Sequence, residues 1–246
     1  MKYFIIASGF NCASFVKSCY DSLIKLGNDI EWNAELIDDG STDNFETQKA
    51  LLNLPKDNRI KISYFKDNLG ASHRRFFSIQ NSNLNDEDVI VLLGLDDELL
   101  PNALTEIDRK YLSGAWMTYG NWITPRGEKL PNGFLDFDNS IHIERSYRIN
   151  KYRSTAPNTF KKFLFDQFSE EDFKFKGEWI KATTENNLMF SCLEMCGKER
   201  IGIINSPIYL YNKGRKDNAR SRFSSNYQNE IFADVISKPK RNLLNR

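Results

Sequence analysis

The first half of the chain alternates between short apolar segments and segments with helical periodicity. Apolar segments without polar alternation are typical of strands buried on both faces, as in a parallel sheet. The pattern predicts strands over residues 2–8, 34–38, 60–65, 89–95 and 115–123. It predicts helices over residues 13–26, 45–54, 71–79 and 101–112. Because strands alternate with helices, we expect an α/β fold with a mostly parallel central sheet flanked by helices.

The second half of the chain has a less regular pattern. Residues 125–150 are rich in Gly, Pro and Asp, which is typical of loops. Helices are predicted over residues 160–168 and 187–195, and a late strand over residues 201–211. Residues 237–246 are polar and basic, and a mobile tail is expected there. No internal repeat or low-complexity linker divides residues 1–236, so we expect one domain.

The composition of the 246-residue chain is that of an ordinary globular protein, with 40% hydrophobic and 27% charged residues. It excludes a disordered chain, a collagen-like repeat and a polytopic membrane protein. The net charge of +1 argues against a nucleic-acid partner. No apolar segment approaches the ~20 residues of a membrane span. We therefore expect no transmembrane segment and, by default, a cytoplasmic protein with its four cysteines reduced and buried.

Charge is unevenly distributed along the chain. Residues 197–246 carry 11 basic and 4 acidic residues, whereas residues 1–196 carry 23 basic and 29 acidic ones. Five basic residues follow the last predicted strand: Lys213, Arg215, Lys216, Arg220 and Arg222. These residues either cover an anionic ligand at the strand ends or belong to a solvated tail, and the sequence leaves both open.

Polar residues follow the first four predicted strands at the point where each strand ends. The segments are residues 8–11 (SGFN), 38–41 (DDGS), 67–70 (DNLG) and 96–98 (DDE). In open α/β sheets the ligand binds beyond the carboxyl ends of the strands. Each segment alone is also typical of a plain turn or an acidic helix start. Carboxylates that converge from two strands require a cation or hydrogen-bond donors between them, which favours a divalent metal bridging to a phosphate.

These segments resemble family 2 glycosyltransferases of the GT-A fold. The resemblance rests on IDDGSTD at residues 37–43, NLG at residues 68–70 with Arg75, and LDD at residues 95–97 before Leu100-Pro101, in this order and spacing. It implies a GT-A domain over residues 1–236. Residues 1–123 would be the nucleotide-sugar-binding half and residues 124–236 the acceptor-side half. Residues 237–246 would follow as a basic tail.

The resemblance also implies roles for individual residues. Ser8 and Phe10 would flank the nucleotide base, and Asp39 would contact it. Asp96 would bind ribose or metal, and Asp97 would bind a divalent metal, Mn²⁺ or Mg²⁺. The chain departs from the family pattern in one place, since the residue two positions before Asp96 is usually acidic and here is glycine.

A catalytic base and a donor-binding arginine complete the predicted site. Residues 184–187 (TENN) with 193–197 (LEMCG) resemble the helix that opens with the base, which makes Glu185 the candidate. Asn186 stands where the family often has a second acid, and Asp138 and Asp172 are weaker alternatives. Arg75 is predicted to bind the nucleotide sugar, because its helix begins at the carboxyl edge of the sheet.

Together these features predict a metal-dependent, inverting glycosyltransferase. It would move a sugar from a nucleotide-diphosphate donor, with UDP-sugars favoured, to a hydroxyl of a glycan or glycoconjugate acceptor. Such a transfer needs one carboxylate base and positive charge at the departing diphosphate. One alternative is a sugar-phosphate nucleotidylyltransferase, but residues 8–11 lack the basic Gly-rich loop that it requires. Another is a catalytically degenerate nucleotide- or glycan-binding protein, which Gly94 and Asn186 keep open.

Overall fold

The computed structural model describes residues 1–213, 215 and 219–246. Its strands, in chain order, are β1 (Tyr3–Gly9), β2 (Trp32–Asp38), β3 (Ile60–Tyr64), β4 (Val89–Gly94), β5 (Glu98–Leu99), β6 (Met117–Ile123), β7 (Asn158–Lys161), β8 (Lys174–Phe175), β9 (Glu178–Trp179) and β10 (Ile201–Leu210). Its α-helices are α1 (Ala13–Ile24), α2 (Glu46–Leu52), α3 (Ala71–Gln80), α4 (Ala103–Leu112), α5 (Asn139–Glu144), α6 (Lys162–Phe165), α7 (Thr184–Cys196), α8 (Ala219–Arg222) and α9 (Ser225–Ser237). Short 3₁₀ helices span Tyr147–Ile149, Glu170–Phe173 and Lys198–Arg200.

Eight strands form one central sheet in the order β3-β2-β1-β4-β7-β6-β10-β5. Strands β1 to β4 are mutually parallel, and β10 is parallel to β6. Strand β7 is antiparallel to both β4 and β6, and β5 is antiparallel to β10. The predicted α/β fold with a mostly parallel sheet is therefore confirmed.

Two apolar layers cover the two faces of the sheet. One packs α1, α2 and α4 onto the sheet, and the other packs α3, α6, α7 and α9 against the opposite face. Successive side chains of a strand point to opposite faces. In β4, Val91 and Leu93 accordingly belong to the first layer, and Ile90 and Leu92 to the second. Burial on both faces explains why these strands are apolar without alternation.

The helix predicted over residues 160–168 is wrong in its first part. The chain forms strand β7 there and turns into α6 only at Lys162. Strand β7 fills the space between β4 and β6 and pairs with both, so tertiary pairing overrides the local apolar pattern. The predicted loop over residues 125–150 likewise contains the short helix α5 and one 3₁₀ turn.

The basic residues after α9 pack on the body of the protein. The Arg241 backbone N–H donates to Glu194 Oε2 at 3.0 Å, and its guanidinium pairs with Asp172. The Leu244 backbone N–H donates to the Met195 carbonyl at 3.0 Å. This placement differs from the mobile tail that the composition predicts. Composition does not show that a buried carboxylate, Glu194, and a half-buried one, Asp172, bind Arg241.

Among the described residues, no helix combines the length and apolar character needed to cross a bilayer.

A buried ion pair joins α7 to the 3₁₀ turn at Tyr147–Ile149. Arg148 Nε lies 2.8 Å from Glu194 Oε1, and the two side chains are 6% and 1% exposed. Breaking a buried pair leaves an uncompensated charge, so Glu194→Gln should lower the free energy of unfolding by about 3–5 kcal/mol in urea denaturation.

The matched control is Asp21→Asn, which breaks the exposed pair between Lys17 and Asp21 on α1. Exposed pairs contribute at most about 1 kcal/mol, so this variant should unfold close to wild type. Equal losses in the two variants would contradict a structural role for the buried pair.

Candidate active site

A cavity of about 240 Å³ opens at the carboxyl edge of the sheet, beyond the ends of β1, β2 and β4 and beside the start of α7. Residues from both halves of the chain line it. All seven predicted site residues are among them: Ser8, Phe10, Asp39, Arg75, Asp96, Asp97 and Glu185. The structure therefore brings together residues separated by up to 177 positions in the sequence. Ser8 Oγ is buried there and has no hydrogen-bond partner among the described residues.

Asp39 ties the end of β2 to the start of α3. Its carboxylate accepts hydrogen bonds from Arg74 Nε at 2.5 Å, Leu69 N at 3.1 Å and Gly70 N at 2.8 Å. Burial raises the pKa of Asp39, and the Arg74 charge opposes that shift. Gly40 follows with φ +67°, and a Cβ there would lie 2.5 Å from the backbone of Asp67. Only glycine lets the two loops approach this closely.

Asp97 is 6% exposed and is held by neutral donors. The Tyr209 hydroxyl donates to its Oδ2 at 2.7 Å, and the Asn212 backbone N–H donates to its Oδ1 at 2.8 Å. Burial and the neighbouring Asp96 charge hold the pKa of Asp97 well above its usual range. A cation beside this carboxyl group would favour its ionised form.

Gly94 leaves a small space between the two carboxylates. A Cβ on Gly94 would lie 2.8 Å from Asp96 Oδ1 and 2.8 Å from Asp97 Oδ2, so both oxygens face the same point. The family pattern has an acidic residue where this chain has Gly94. That position is thus flanked by the carboxylates of Asp96 and Asp97.

This donor set fits a divalent ion that shares its coordination with phosphate oxygens. Mg²⁺-type sites commonly use one or two carboxylates together with substrate phosphates and waters. Among the described residues, no group of three or more His, Cys, Asp or Glu side chains is arranged to hold a metal. The remaining ligands of such an ion would therefore have to come from a bound phosphate or from water.

Glu185 lies in the first turn of α7 and pairs with Arg75. Arg75 Nη1 donates to Glu185 Oε1 at 2.7 Å and to Thr184 Oγ1 at 3.1 Å. The Glu185 side chain is 35% exposed, whereas that of Arg75 is 9% exposed. Arg75 Nε is buried without a hydrogen-bond partner among the described residues. The alternative bases Asp138 and Asp172 line neither this cavity nor the one next to it.

A second cavity, of about 500 Å³, adjoins the first. The two share several lining residues, among them Arg75, Gly94, Asp97, Glu185 and Tyr211. Glu185 and Asp97 thus both lie where the two cavities meet. This junction is the place where a group held in one cavity would meet a group held in the other.

Two arginines of the basic segment after β10 reach into the first cavity. Arg215 Nη1 lies 3.1 Å from Asp96 Oδ2, and its Nη2 donates to the Phe10 carbonyl at 2.5 Å. The Arg222 guanidinium stacks 3.7 Å above the centre of the Phe10 ring. Lys213 instead pairs with Glu128 on the surface. Lys216 and the side chain of Arg220 lie outside the described residues.

Sequence reasoning missed three residues that shape the site: Arg74, Tyr209 and Asn212. Arg74 is next to the predicted Arg75 in the sequence, but it pairs with Asp39. Tyr209 and Asn212 lie at and just after the end of β10, and they bind Asp97 from more than 100 positions away. No local pattern marks such long-range contacts. Residues 208–212 (IYLYN) also resemble the closing strand of the family, and this resemblance is a signal that points to Tyr209 and Asn212.

Comparisons with known proteins identify the family of this chain. The sequence model described as glycosyl transferase family 2 matches residues 4–173, more than half of the chain. An uncharacterized glycosyltransferase of Mycoplasma genitalium is 31% identical over 113 residues, which cover 45% of this chain and 37% of that protein. The chain thus spans well under two thirds of that relative's length.

Solved structures show the same fold at low sequence identity. S. aureus TarS 1–349 in complex with UDP-GlcNAc has a TM-score of 0.68 and 16% identity, covering 96% of this chain and 64% of that one. Glucosyl-3-phosphoglycerate synthase from Mycobacterium tuberculosis, in complex with Mn²⁺, UDP and phosphoglyceric acid, has a TM-score of 0.64 and 13% identity, covering 97% of this chain and 79% of that one. These structural neighbours show that this chain has a GT-A fold. The family model, which matches more than half of the chain, shows that the chain belongs to glycosyl transferase family 2.

Proposed function

We propose that this protein is a metal-dependent, inverting glycosyltransferase that moves a sugar from a UDP-sugar to a hydroxyl of a glycan or glycoconjugate. The observation that carries the proposal is the position of Glu185 at the junction of two cavities, the first of which is lined by Asp96 and both of which are lined by Asp97. A transfer reaction needs two substrate sites that meet at a base, and this geometry supplies that arrangement.

The first cavity is assigned to the donor. Ser8 and Phe10 would flank the nucleotide base, and Asp39 would contact it. Asp96 would contact ribose or metal. The choice of UDP is supported by the structural neighbours, of which S. aureus TarS binds UDP-GlcNAc and the mycobacterial synthase binds UDP and Mn²⁺.

A divalent ion, Mn²⁺ or Mg²⁺, would be held by Asp96 and Asp97 through the oxygens that face Gly94. Bound there, it would neutralise charge on the departing diphosphate. The chain contributes further positive charge through Arg215 and Arg222, which we propose lie against the diphosphate in the donor complex. The basic segment would then serve as part of the donor site.

Glu185 is assigned as the base. The acceptor oxygen attacks the anomeric carbon of the donor sugar while the bond from that carbon to the diphosphate oxygen breaks. UDP leaves with the bonding electrons, and the acceptor proton passes to Glu185. Because attack and departure take place on opposite sides of the carbon, one base suffices and the anomeric configuration inverts. Arg75 would orient the Glu185 carboxylate through the 2.7 Å contact. Since Arg75 also lines the first cavity, its predicted contact with the nucleotide sugar stays a prediction.

Removing Asp97 should abolish metal-dependent nucleotide binding. In wild type, UDP should raise the thermal unfolding temperature, and Mn²⁺ should increase that rise, because a ligand of the folded state stabilises it by mass action. Asp97→Ala should lose the Mn²⁺-dependent part. The control Glu46→Ala alters an exposed carboxylate on α2 and should behave as wild type. An unchanged Mn²⁺ effect in Asp97→Ala would overturn the metal assignment.

Removing the charge of Glu185 should stop transfer while leaving the donor bound. Glu185→Gln should keep the UDP-induced thermal shift and lose at least about a hundredfold in turnover, the scale of general-base removal. Turnover is measured as UDP release in the presence of acceptor. Glu178→Gln, an exposed glutamate seven positions earlier in β9, is the matched control. A Glu185→Gln enzyme that retained most of its rate would show that another group is the base.

A further inference from the structure

The second cavity differs from the first in charge. Its charged described residues are Arg75, Asp97 and Glu185, which it shares with the first cavity, and Arg75 already pairs with Glu185. Beyond this junction the described lining consists of aromatic, hydroxyl, amide and aliphatic side chains, including Trp122 and Tyr152. The cavity therefore offers polar groups and ring surfaces, with no cation of its own among the described residues.

Tyr152, in the wall of this cavity, stays neutral. Burial raises the pKa of Tyr152 well above the usual range, so its phenol keeps its proton. Beyond the junction, an acceptor phosphate or carboxylate would lie where the described lining has no cation to pair with it. Burying a charge without a partner costs far more than burying a hydroxyl that finds a hydrogen bond. Electrostatics therefore disfavours an anionic group in this cavity.

Trp122 gives the cavity a broad ring surface at the end of β6. Its ring lies 5.6 Å from that of Tyr211 at an angle of 67°, and Tyr211 N donates to the Ile123 carbonyl at 2.8 Å. The wall is therefore fixed by packing and by the backbone. A sugar ring has a C–H face that suits an aromatic surface and a polar rim that suits hydroxyl and amide groups. The volume of about 500 Å³ lies in the range of small-molecule sites and accommodates such a ring.

We infer that the second cavity binds an uncharged sugar ring of the acceptor, a hexose or N-acetylhexosamine unit of a neutral glycan, packed against Trp122 with one hydroxyl at Glu185. This inference rests on the proposed function, since it takes Glu185 as the base and the first cavity as the donor site. It makes Trp122 a determinant of acceptor choice. The acceptor class thereby differs in charge from the phosphoglyceric acid bound to the mycobacterial synthase.

The test compares matched neutral and anionic acceptors. Wild-type enzyme is given UDP-glucose or UDP-GlcNAc with Mn²⁺, and the acceptors are methyl glucoside, methyl galactoside and methyl N-acetylglucosaminide, their 6-phosphates, and phosphoglyceric acid. Products are measured by mass spectrometry. At least one neutral sugar should show a kcat/KM at least about tenfold above that of its 6-phosphate. A preference for the phosphorylated member in every pair, or for phosphoglyceric acid, would overturn the inference.

Substitution of Trp122 provides a second test of the inference. Trp122→Ala should raise the KM for the neutral acceptor at least about tenfold without changing the UDP-induced thermal shift, and Trp122→Phe should restore part of the loss. The control is Trp179→Ala, because Trp179 packs on His73 and lines neither cavity. An unchanged acceptor KM in Trp122→Ala would overturn the role of Trp122.

Hydrolysis of the donor distinguishes a failure of the proposed function from a failure of the inference about the acceptor. Release of UDP from the donor in the absence of acceptor, together with a UDP-induced thermal shift, tests the donor site alone. If both are missing for every donor, the proposed function fails and the inference fails with it. If both are present and only anionic acceptors are used, the proposed function stands and the inference is wrong.

Discussion

The structure depends on holding four carboxylates close together at one edge of the sheet, where they would otherwise repel one another. Three of them have an arginine of their own: Asp39 pairs with Arg74, Glu185 with Arg75, and Asp96 with Arg215. Asp97 is the exception. Among the described contacts its carboxylate is held by a tyrosine hydroxyl and a backbone amide, so it is the acid at which an additional cation would compensate most charge.

This pairing also explains the uneven charge of the chain. Part of the basic C-terminal region returns to the cavity, where Arg215 and Arg222 contact Asp96 and Phe10. Another part returns to the body, where Arg241 meets Asp172 and Glu194. The near-zero net charge is therefore the sum of an acidic body and a basic end, and the two contact each other in the structure. We propose that donor binding uses Arg215 and Arg222. Phosphate oxygens would then take the place that the Asp96 carboxylate has beside Arg215 in the free protein.

Sequence patterns predicted the first half of the fold well because its strands are short and buried on both faces, and because turn residues follow each strand where it ends. They also predicted which residues gather at the site, since the carboxyl ends of parallel strands meet at one edge. They failed at β7, where pairing with two neighbours overrides an ambiguous apolar segment. They did not reveal the contact between Arg75 and Glu185 either, because packing across 110 positions decides which group a buried guanidinium meets. The predicted role of Arg75 at the donor stays a prediction.

We propose that a single carboxylate, that of Glu185, at the junction of two cavities drives a direct displacement at the anomeric carbon. The stereochemistry of the product tests it most directly. With a UDP-α-sugar as donor, proton NMR of the newly formed linkage should show the β anomer, identified by a large coupling of the anomeric proton in a gluco-configured sugar. An α-linked product would contradict the account, because retention requires a second displacement or a front-side mechanism that Glu185 as sole base does not provide.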